Sequence, residues 1–304
     1  MADRVTTRFQ KLLKDPELLV MPGGFSPLMA RMAESIGFQS FHMAGSQISA
    51  YVYGYSDVGL LTRDEMARNA HNIASACDIP IFADADTGYG NALNVYHTVQ
   101  EYIWAGAAGL HIEDQESPKT SGTGEGKRCI SMAEAVGKYK AAVEAKNEMD
   151  PDFVICARCD LIGAEGGSFE AAVERCIAYA EDAKVDAVWI NNIKNVDDIA
   201  EACRQIPAPV IPLYSGSAPQ PSLEQLQQAG AAVGIFPSLT SAPGLQPTWD
   251  MLHDFKERGV EALLERRATN RASKWGPVRP DDLTYVSHET AKAIEEAFIP
   301  KQGS

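Results

Sequence analysis

Two acidic residues stand two positions apart in the stretch IFADADTGYG (residues 81–90), at the end of a short apolar run that glycines terminate. A second apolar run, GLHIE, ends in Glu113. Side chains on a strand alternate between faces, so Asp84 and Asp86 would point the same way, as would His111 and Glu113. Carboxylates that converge in a low-dielectric site repel one another unless a cation or protons compensate them. The all-oxygen set predicts Mg²⁺, with Mn²⁺ as the alternative, because these ions keep several waters and leave positions for the oxygens of a substrate.

Each of these residues also has a simpler interpretation. An Asp after a strand often caps the next helix, and a single His in an apolar run is more often a core residue than a catalytic base. Arg158 ends another apolar run, and a buried guanidinium needs an anionic partner. That partner is either a substrate carboxylate or a nearby acid such as Asp160. The three carboxylates Asp84, Asp86 and Glu113, taken together, favour the metal site over helix capping.

Eight short apolar runs are bounded by glycine, proline or polar residues and predict β-strands at 18–22, 40–44, 79–83, 109–113, 153–158, 187–191, 210–214 and 232–236. Helical patterns lie between them at 62–77, 92–105, 131–146, 169–180, 196–205 and 223–228. Strands that are apolar on both faces and alternate with helices predict a single α/β domain over 1–304, a (β/α)₈ TIM-type barrel. In such a barrel the residues that follow the strands meet at one mouth.

The chain continues beyond the eighth unit. Residues 1–247 would form the barrel, and 248–304 a C-terminal helical extension that covers a face of the barrel or packs on another subunit. The glycine-rich SGTGEGKR predicts a mobile lid over about 115–131.

Composition excludes several classes of function. The 304 residues carry 41 acidic and 27 basic side chains, a net charge of −14, which disfavours a nucleic-acid partner. No apolar stretch reaches membrane-spanning length, and the start MADRVTTRFQ has no secretory signal. Six cysteines are too few for a disulfide scaffold. We therefore expect a cytoplasmic enzyme with reduced thiols and no membrane partner.

Six segments, in this order, resemble the isocitrate lyase and phosphoenolpyruvate mutase superfamily: MAGSQISA, SDVGLLT, DADTGYGN, AGAAGLHIEDQ, ARCD and IFPS. The greatest similarity is to its 2-methylisocitrate lyase-like branch. The resemblance implies a (β/α)₈ barrel, a homotetramer with helices swapped between subunits, and Mg²⁺ held by Asp84, Asp86 and Glu113. It also implies a small 2-hydroxy or 2-oxo carboxylate as substrate.

The resemblance further implies roles for single residues. The backbone amides of Gly45 and Ser46 bind a substrate carboxylate, Arg158 clamps it, and Asp57 lies beside the reacting carbon. The candidate catalytic residues are Asp57, His111, Lys119, Ser121 and Arg158. The candidate substrate-binding residues are Ala44, Gly45, Ser46, Arg158, Asn191, Ser215 and Pro237.

One departure from the family is informative. Its lyases carry a lid motif Lys-Lys/Arg-Cys-Gly-His, whose cysteine protonates the carbanion formed on cleavage. Counting without gaps from Glu113 puts Ser121 at the cysteine and Thr123 at the histidine. A gapped register would bring in Cys129 instead, but the gapless one also matches the distance to the next helix and is preferred. Asn191 stands where the lyases usually have a glutamate.

Serine is a far weaker acid than cysteine, so Ser121 is a poor proton donor for the carbanion. Three reactions are compatible with a serine at this position. The first is carbon–carbon cleavage by a lyase that uses another donor, such as Cys129, or Lys119 or Ser121 through a relay. The second is decarboxylation or hydrolysis of an oxaloacetate-type substrate, and the third is phosphonopyruvate mutase or hydrolase chemistry. Pro237 argues against decarboxylation, and the few basic residues besides Arg158 and Lys119 argue against a phosphonate.

The preferred hypothesis is a Mg²⁺-dependent lyase that cleaves a substituted malate or 2-methylisocitrate type of acid to a 2-oxo acid such as pyruvate and a second carboxylate. The alternative from another class is a metabolite-binding barrel that has lost catalysis.

Overall fold

The computed structural model describes residues 3–120, 126–214, 219–284 and 286–298. It contains all eight predicted strands, close to the predicted bounds: β1 Leu19–Gly24, β2 Phe41–Met43, β3 Ile81–Asp84, β4 Gly109–Glu113, β5 Val154–Cys159, β6 Ala187–Ile193, β7 Val210–Tyr214 and β8 Val233–Phe236. The α-helices of the described ranges are α1 Val5–Lys14, α2 Pro27–Ile36, α3 Gly45–Gln47, α4 Arg63–Ala74, α5 Ala92–Trp104, α6 Met132–Met149, α7 Phe169–Glu181, α8 Val196–Gln205, α9 Leu223–Gln228, α10 Ala242–Arg258, α11 Val260–Arg271 and α12 His288–Phe298. A π-helix, Ile48–Tyr53, continues from α3, and Pro280–Asp282 form a 3₁₀ turn.

The strands form a nearly closed barrel. Each pairs in parallel with the next along the chain from β1 to β7, and β8 pairs in parallel with β1. Between β7 and β8 the amide of Ala232 donates to the carbonyl of Val210 at 2.9 Å. The predicted (β/α)₈ barrel is confirmed.

The apolar residues of the strands divide into two cores because successive side chains point to opposite faces. The inner core fills the barrel and includes Phe82, Cys156 and Trp189, while Phe9 and Leu13 of α1 close its amino-terminal end. The outer core lies between the strands and the surrounding helices. This division explains why the strands read as continuous apolar runs, since neither face meets water.

Helix starts follow the capping residues of the sequence. The side chains of Thr62, Asn91, Ser131 and Ser168 each accept a hydrogen bond from a backbone amide in the first turn of α4, α5, α6 and α7. These bonds satisfy amides that have no partner within the helix. The caps therefore set where each helix leaves the barrel mouth.

The C-terminal helices lie outside both cores. Helix α10 begins at Ala242, before residue 248 where the extension was expected, and neither α10 nor α12 has a buried residue. Large apolar side chains of these helices are exposed: Leu245, Trp249, Leu252, Phe255, Leu264, Ile294 and Phe298. Among the described residues, no helix has both the length and the apolar character needed to cross a bilayer.

Candidate active site

Three carboxylates converge at the mouth of the barrel, as predicted. Asp84 ends β3, Glu113 ends β4, and Asp86 follows β3 by two residues. All three are buried, and one oxygen from each lies within 4.8 Å of the others. An all-oxygen, anionic donor set at this spacing fits Mg²⁺ or Mn²⁺.

The convergence of Asp86 has a different cause from the one predicted. Strand β3 ends at Asp84, so strand alternation does not orient Asp86, which adopts a left-handed conformation with φ of 46°. Asp is among the few residues that tolerate this region. The amide of Asp86 donates to Asp84 Oδ1, and its carbonyl accepts from the amide of Glu113, both at 2.8 Å. A tight turn, hydrogen-bonded to both Asp84 and Glu113, therefore brings Asp86 into the cluster.

Gly45 packs directly against the cluster. Its amide donates to Asp84 Oδ2 at 3.1 Å, and a Cβ at this position would lie 2.6 Å from the same oxygen. Gly45 therefore supports Asp84, whereas its contact with a substrate carboxylate remains a prediction. Ala44, also buried, precedes it, and Ser46 follows it in α3.

Lys119 joins the cluster from the loop after β4. Its buried ammonium lies 2.5 Å from Asp86 Oδ1, 2.9 Å from Asp57 Oδ1 and 3.1 Å from Glu113 Oε1. Asp57 comes from the loop between the π-helix and α4, so Lys119 connects that loop to the turn after β3 and to the end of β4. The predicted proximity of Asp57, Lys119 and the metal ligands is thus present.

Burial is the largest influence on the acidic residues. It raises the pKa of Glu113 to about 7, and it raises the pKa of Asp86 above its usual range. For Asp84 the effect of burial is outweighed by its neighbours His111, Lys119 and Arg158, which lower its pKa below the ordinary value. Burial also opposes the charge of Lys119, but the surrounding carboxylates raise its pKa well above normal, so Lys119 acts as a fixed cation.

The net charge of the described site favours binding of a divalent cation. Its carboxylates are Asp57, Asp84, Asp86 and Glu113. Its cations are Lys119 and Arg158. With every group ionised, four negative and two positive charges leave two negative charges, which one Mg²⁺ would neutralise. The further pair of Asp160 with Lys127 does not alter this balance.

Arg158 lies at the end of β5 between two acids. Its NH1 is 3.1 Å from Glu113 Oε1, and its NH2 donates to Asp160 Oδ1 at 3.1 Å. The guanidinium carbon also lies 5.2 Å from the centre of a Trp189 ring. The ion pair with Asp160 considered from the sequence is present, and the clamping of a substrate carboxylate remains a prediction.

His111 precedes Glu113 in β4 and therefore lies deeper in the barrel. Its Nε2 is 3.0 Å from Nε2 of His42 and 4.0 Å from Asp84 Oδ2. Burial lowers the pKa of His111 well below its ordinary value and that of His42 to about 4, so both rings are neutral near pH 7. His111 supports Asp84 from beneath, and its predicted catalytic role has no direct contact with the open mouth to support it.

Cys129 faces away from the cluster. Its sulfur lies 3.6 Å from Asp114 Oδ1, on the opposite side of the strand from Glu113. Arg175 and Tyr179 of α7 donate to the other oxygen of Asp114 at 2.9 and 2.7 Å. Burial raises the pKa of the Cys129 thiol, and this geometry disfavours the alternative in which Cys129 protonates a product.

The segment expected to form a lid is anchored at its base. Gln115 and Cys129 form an antiparallel bridge, and the amide of Ile130 donates to the carbonyl of Asp114 at 2.9 Å. The side chain of Gln115 donates to Glu113 Oε2 at 2.6 Å. The residues that flank 121–125 therefore pack on the barrel and help to orient a metal ligand.

The remaining candidates differ in how the structure places them. Asn191 is buried at the mouth and donates to Asp160 Oδ1 at 2.5 Å. Pro237 follows β8, and its backbone packs closely on Gly23 of β1. Ser121 and Ser215 lie outside the described residues, so their predicted roles stay predictions.

Sequence reasoning missed two groups in this site. Lys127 was assigned to the lid, yet its ammonium is buried 3.3 Å from Asp160 Oδ1. It is a further basic residue at the mouth, which the sequence argument against a phosphonate did not count. Gln115 was not singled out, although it directly follows the acidic pair of GLHIEDQ. The short distance in sequence between Gln115 and Glu113 could have indicated the role of Gln115. No feature of the glycine-rich segment indicated that Lys127 would be buried.

Known proteins resemble this chain over most of its length. Residues 9–242, which span β1 to β8, match the sequence profile of the phosphoenolpyruvate phosphomutase family. The chain is 32% identical over 297 residues to the 2-methylisocitrate lyase of Aeropyrum pernix, covering 97% of this chain and 94% of that protein. It is 36% identical over 233 residues to the 2,3-dimethylmalate lyase of Eubacterium barkeri, covering 76% and 79%. A solved structure of oxaloacetate acetylhydrolase in complex with 3,3-difluorooxalacetate superposes with a TM-score of 0.86 at 28% identity, covering 99% of this chain and 100% of that one.

Proposed function

Since the chain belongs to the phosphoenolpyruvate phosphomutase family, we propose that it is a Mg²⁺-dependent carbon–carbon lyase. Its substrate is a 2-hydroxy di- or tricarboxylate of the substituted malate or 2-methylisocitrate type, cleaved to a 2-oxo acid such as pyruvate and a second carboxylate. The observation that carries the proposal is the buried cluster of Asp84, Asp86 and Glu113, beside the cations of Lys119 and Arg158. The two lyases among its relatives support this choice of reaction.

The reaction needs three things from the site. A base removes the proton of the substrate hydroxyl, the C–O bond becomes a carbonyl as the neighbouring carbon–carbon bond breaks, and an acid protonates the carbon that keeps the electron pair. Bound Mg²⁺ would be held by Asp84, Asp86 and Glu113 and would offset the negative charge of the oxo acid. Every other requirement falls to the side chains of the chain itself.

We assign proton removal to Asp57. Its side chain is 16% exposed, more than those of Asp84, Asp86 and Glu113, which are 7%, 9% and 1% exposed. Lys119 forms an ion pair with Asp57 at 2.9 Å and helps to hold it in place. Arg158 supplies the planar donors that suit a carboxylate.

The acid that protonates the released carbanion must be a group other than Cys129, which contacts Asp114 on the side of α7. The raised pKa of Lys119 disfavours direct donation from its ammonium, so Ser121 and a relay from Lys119 remain the candidates. A second reaction is favoured by one specific observation, the high structural similarity to an oxaloacetate acetylhydrolase, which makes an oxaloacetate hydrolase or decarboxylase the alternative. Phosphonopyruvate chemistry ranks behind both.

A product screen by NMR tests the proposal. We expect a substituted malate such as 2,3-dimethylmalate, citramalate or 2-methylisocitrate to yield a 2-oxo acid and a second carboxylate with Mg²⁺, and EDTA to abolish the reaction because the ligand carboxylates would lose their counter-ion. Oxaloacetate and phosphonopyruvate are included as competitors. Faster release of oxalate, CO₂ or phosphate from those compounds would contradict the lyase assignment.

The same screen with Asp57→Ala separates an enzyme from a binding protein. Turnover that Asp57→Ala abolishes would exclude the metabolite-binding alternative. If no compound reacts but Mg²⁺ and a carboxylate still bind, the barrel has lost catalysis.

We also propose that the protein is a cytoplasmic homotetramer in which α10 to α12 pack on other subunits. The exposed apolar side chains Trp249 (61%) and Leu252 (64%) support this, because a face of this kind is stabilised by burial against a partner. We expect light scattering of the full chain to give about four times the monomer mass of 32.9 kDa. Leu252→Glu should lower the mass, whereas Ile36→Glu, at a similarly exposed residue of α2 (70%), should not. A monomeric wild-type chain would contradict the proposal.

A further inference from the structure

Lys127 is buried where no sequence pattern predicts it. Only 1% of its surface is exposed, although it ends the glycine-rich segment SGTGEGK. Its backbone is held beside the loop after β5, where it bridges to Ala164 and its carbonyl accepts from the amide of Glu165 at 3.3 Å. From this position its ammonium reaches Asp160 Oδ1 at 3.3 Å. Burial of a charged lysine requires a compensating anion, and Asp160 is that anion.

Asp160 is shared among several donors. Its Oδ1 accepts from NH2 of Arg158 at 3.1 Å and from the side chain of Asn191 at 2.5 Å, in addition to Lys127. Its own amide donates to Asp114 Oδ1 at 2.8 Å, which fixes its backbone. One carboxylate oxygen thus divides its negative charge between two cations and an amide.

The sharing changes how Arg158 is held. An unshared aspartate would place its whole negative charge opposite the guanidinium. Here Arg158 faces both oxygens of Asp160, with NH2 3.1 Å from Oδ1 and Nε 2.8 Å from Oδ2, but Oδ1 is shared with Lys127 and Asn191. NH1 of Arg158 extends to Glu113 Oε1 at 3.1 Å. Its positive charge is therefore only partly offset by Asp160.

We propose that Lys127 is a positioning residue for carboxylate recognition. By taking part of the charge of Asp160, it leaves Arg158 with more uncompensated positive charge, which is available to a carboxylate at the mouth. It also adds a positive charge next to Arg158, which favours dicarboxylates over monocarboxylates. The inference rests on the proposed function only in assigning Arg158 to a ligand carboxylate.

Calorimetric titration of oxalate in the presence of Mg²⁺ tests this without requiring turnover. Oxalate presents two adjacent carboxylates and measures recognition at the mouth whatever reaction the enzyme catalyses. We expect Lys127→Met to weaken oxalate binding by about 10- to 100-fold, because a buried charge pair is broken. Lys127→Arg should retain most of the affinity, since it keeps the charge. In turnover, KM should rise more than kcat falls.

A matched control removes another buried lysine. Lys146 lies 2.6 Å from both oxygens of Asp186, on α6 and away from the mouth, so Lys146→Met should leave oxalate binding unchanged. Equal weakening in Lys127→Met and Lys146→Met would show a general loss of structure and overturn the proposal. So would wild-type oxalate affinity in Lys127→Met.

The double variant Lys127→Met/Asp160→Asn isolates the mechanism. Without the charge of Asp160, the positive charge of Arg158 is no longer offset by that residue, so we expect oxalate affinity to recover relative to Lys127→Met. No recovery would mean that Lys127 does not act through Asp160, and it would overturn the positioning role. If the product screen fails while these affinities follow the expected order, the proposed reaction is wrong and the recognition site stands.

Discussion

Lys119→Met is expected to lower turnover about 10³-fold, the scale at which single electrostatic groups in active sites act. Lys119 contacts Asp57, Asp86 and Glu113 together, so its loss removes the cation that holds the proposed base next to the metal ligands. Arg158 remains and contacts the same Oε1 of Glu113, but within the described structure it does not contact Asp57. The measurement is steady-state kinetics at saturating Mg²⁺.

Thermal unfolding gives an independent readout of the same variant. Without Lys119, the carboxylates repel one another more strongly, so the metal-free variant should unfold at a lower temperature than the wild type. Mg²⁺ should then raise its Tm by more than it raises that of the wild type, since a ligand that binds only the folded state stabilises it. Lys119→Arg keeps the charge and should lie between the two. Turnover of Lys119→Met near the wild-type value would contradict the role given to this residue.

Gly45→Ala is expected to be the second most damaging change, although it adds a single methyl group. The new Cβ would lie 2.6 Å from Asp84 Oδ2 and 2.8 Å from its Cγ, closer than such atoms can approach. Either Asp84 or the short helix α3 must shift, and both positions belong to the site. We expect turnover to fall about 100-fold and Mg²⁺ affinity to fall with it, since a shift of about 1 Å at a reacting centre has effects of this size.

Gly137→Ala is the matched control for this variant. Gly137 lies within α6, and a Cβ there would meet no atom within 4 Å. Alanine in a helix interior is more favourable than glycine by about 0.5–1 kcal/mol, so Gly137→Ala should keep full activity and unfold at a slightly higher temperature. Isothermal titration of Mg²⁺ and kinetics on both variants check the pair. Wild-type Mg²⁺ affinity in Gly45→Ala would show that Asp84 tolerates displacement.

The barrel and its acidic cluster were predictable because they depend on local patterns. Strands buried on both faces are apolar throughout, and the residues that end them must share one mouth. Glu113 and Asp84 followed directly from that rule. Asp86 was also placed correctly, but by an argument that does not apply to it, since its orientation comes from a left-handed turn that strand alternation does not describe.

The parts that escaped prediction depend on contacts between distant residues. Lys127 is buried because Asp160, far along the chain, accepts its charge, and nothing near Lys127 in the sequence signals that partner. Cys129 was a candidate donor until its contact with Asp114 showed which side of the strand it faces. The catalytic role of His111 stays a prediction, and the neighbours that the structure gives its Nε2, which are His42 and Asp84, could not be read from the sequence around it.

The turn at Asp86 bears on which ions the protein can discriminate. Two hydrogen bonds of the Asp86 backbone tie this residue to Asp84 and Glu113, and the amide of Gly45 donates to Asp84 Oδ2. Ca²⁺ requires about six to eight oxygens at longer distances and is favoured by ligands that can spread apart, whereas Mg²⁺ accepts a few fixed carboxylates and keeps its waters. We therefore expect this cluster, which its backbone hydrogen bonds hold rigid, to prefer Mg²⁺ over Ca²⁺ because of its rigidity rather than its charge.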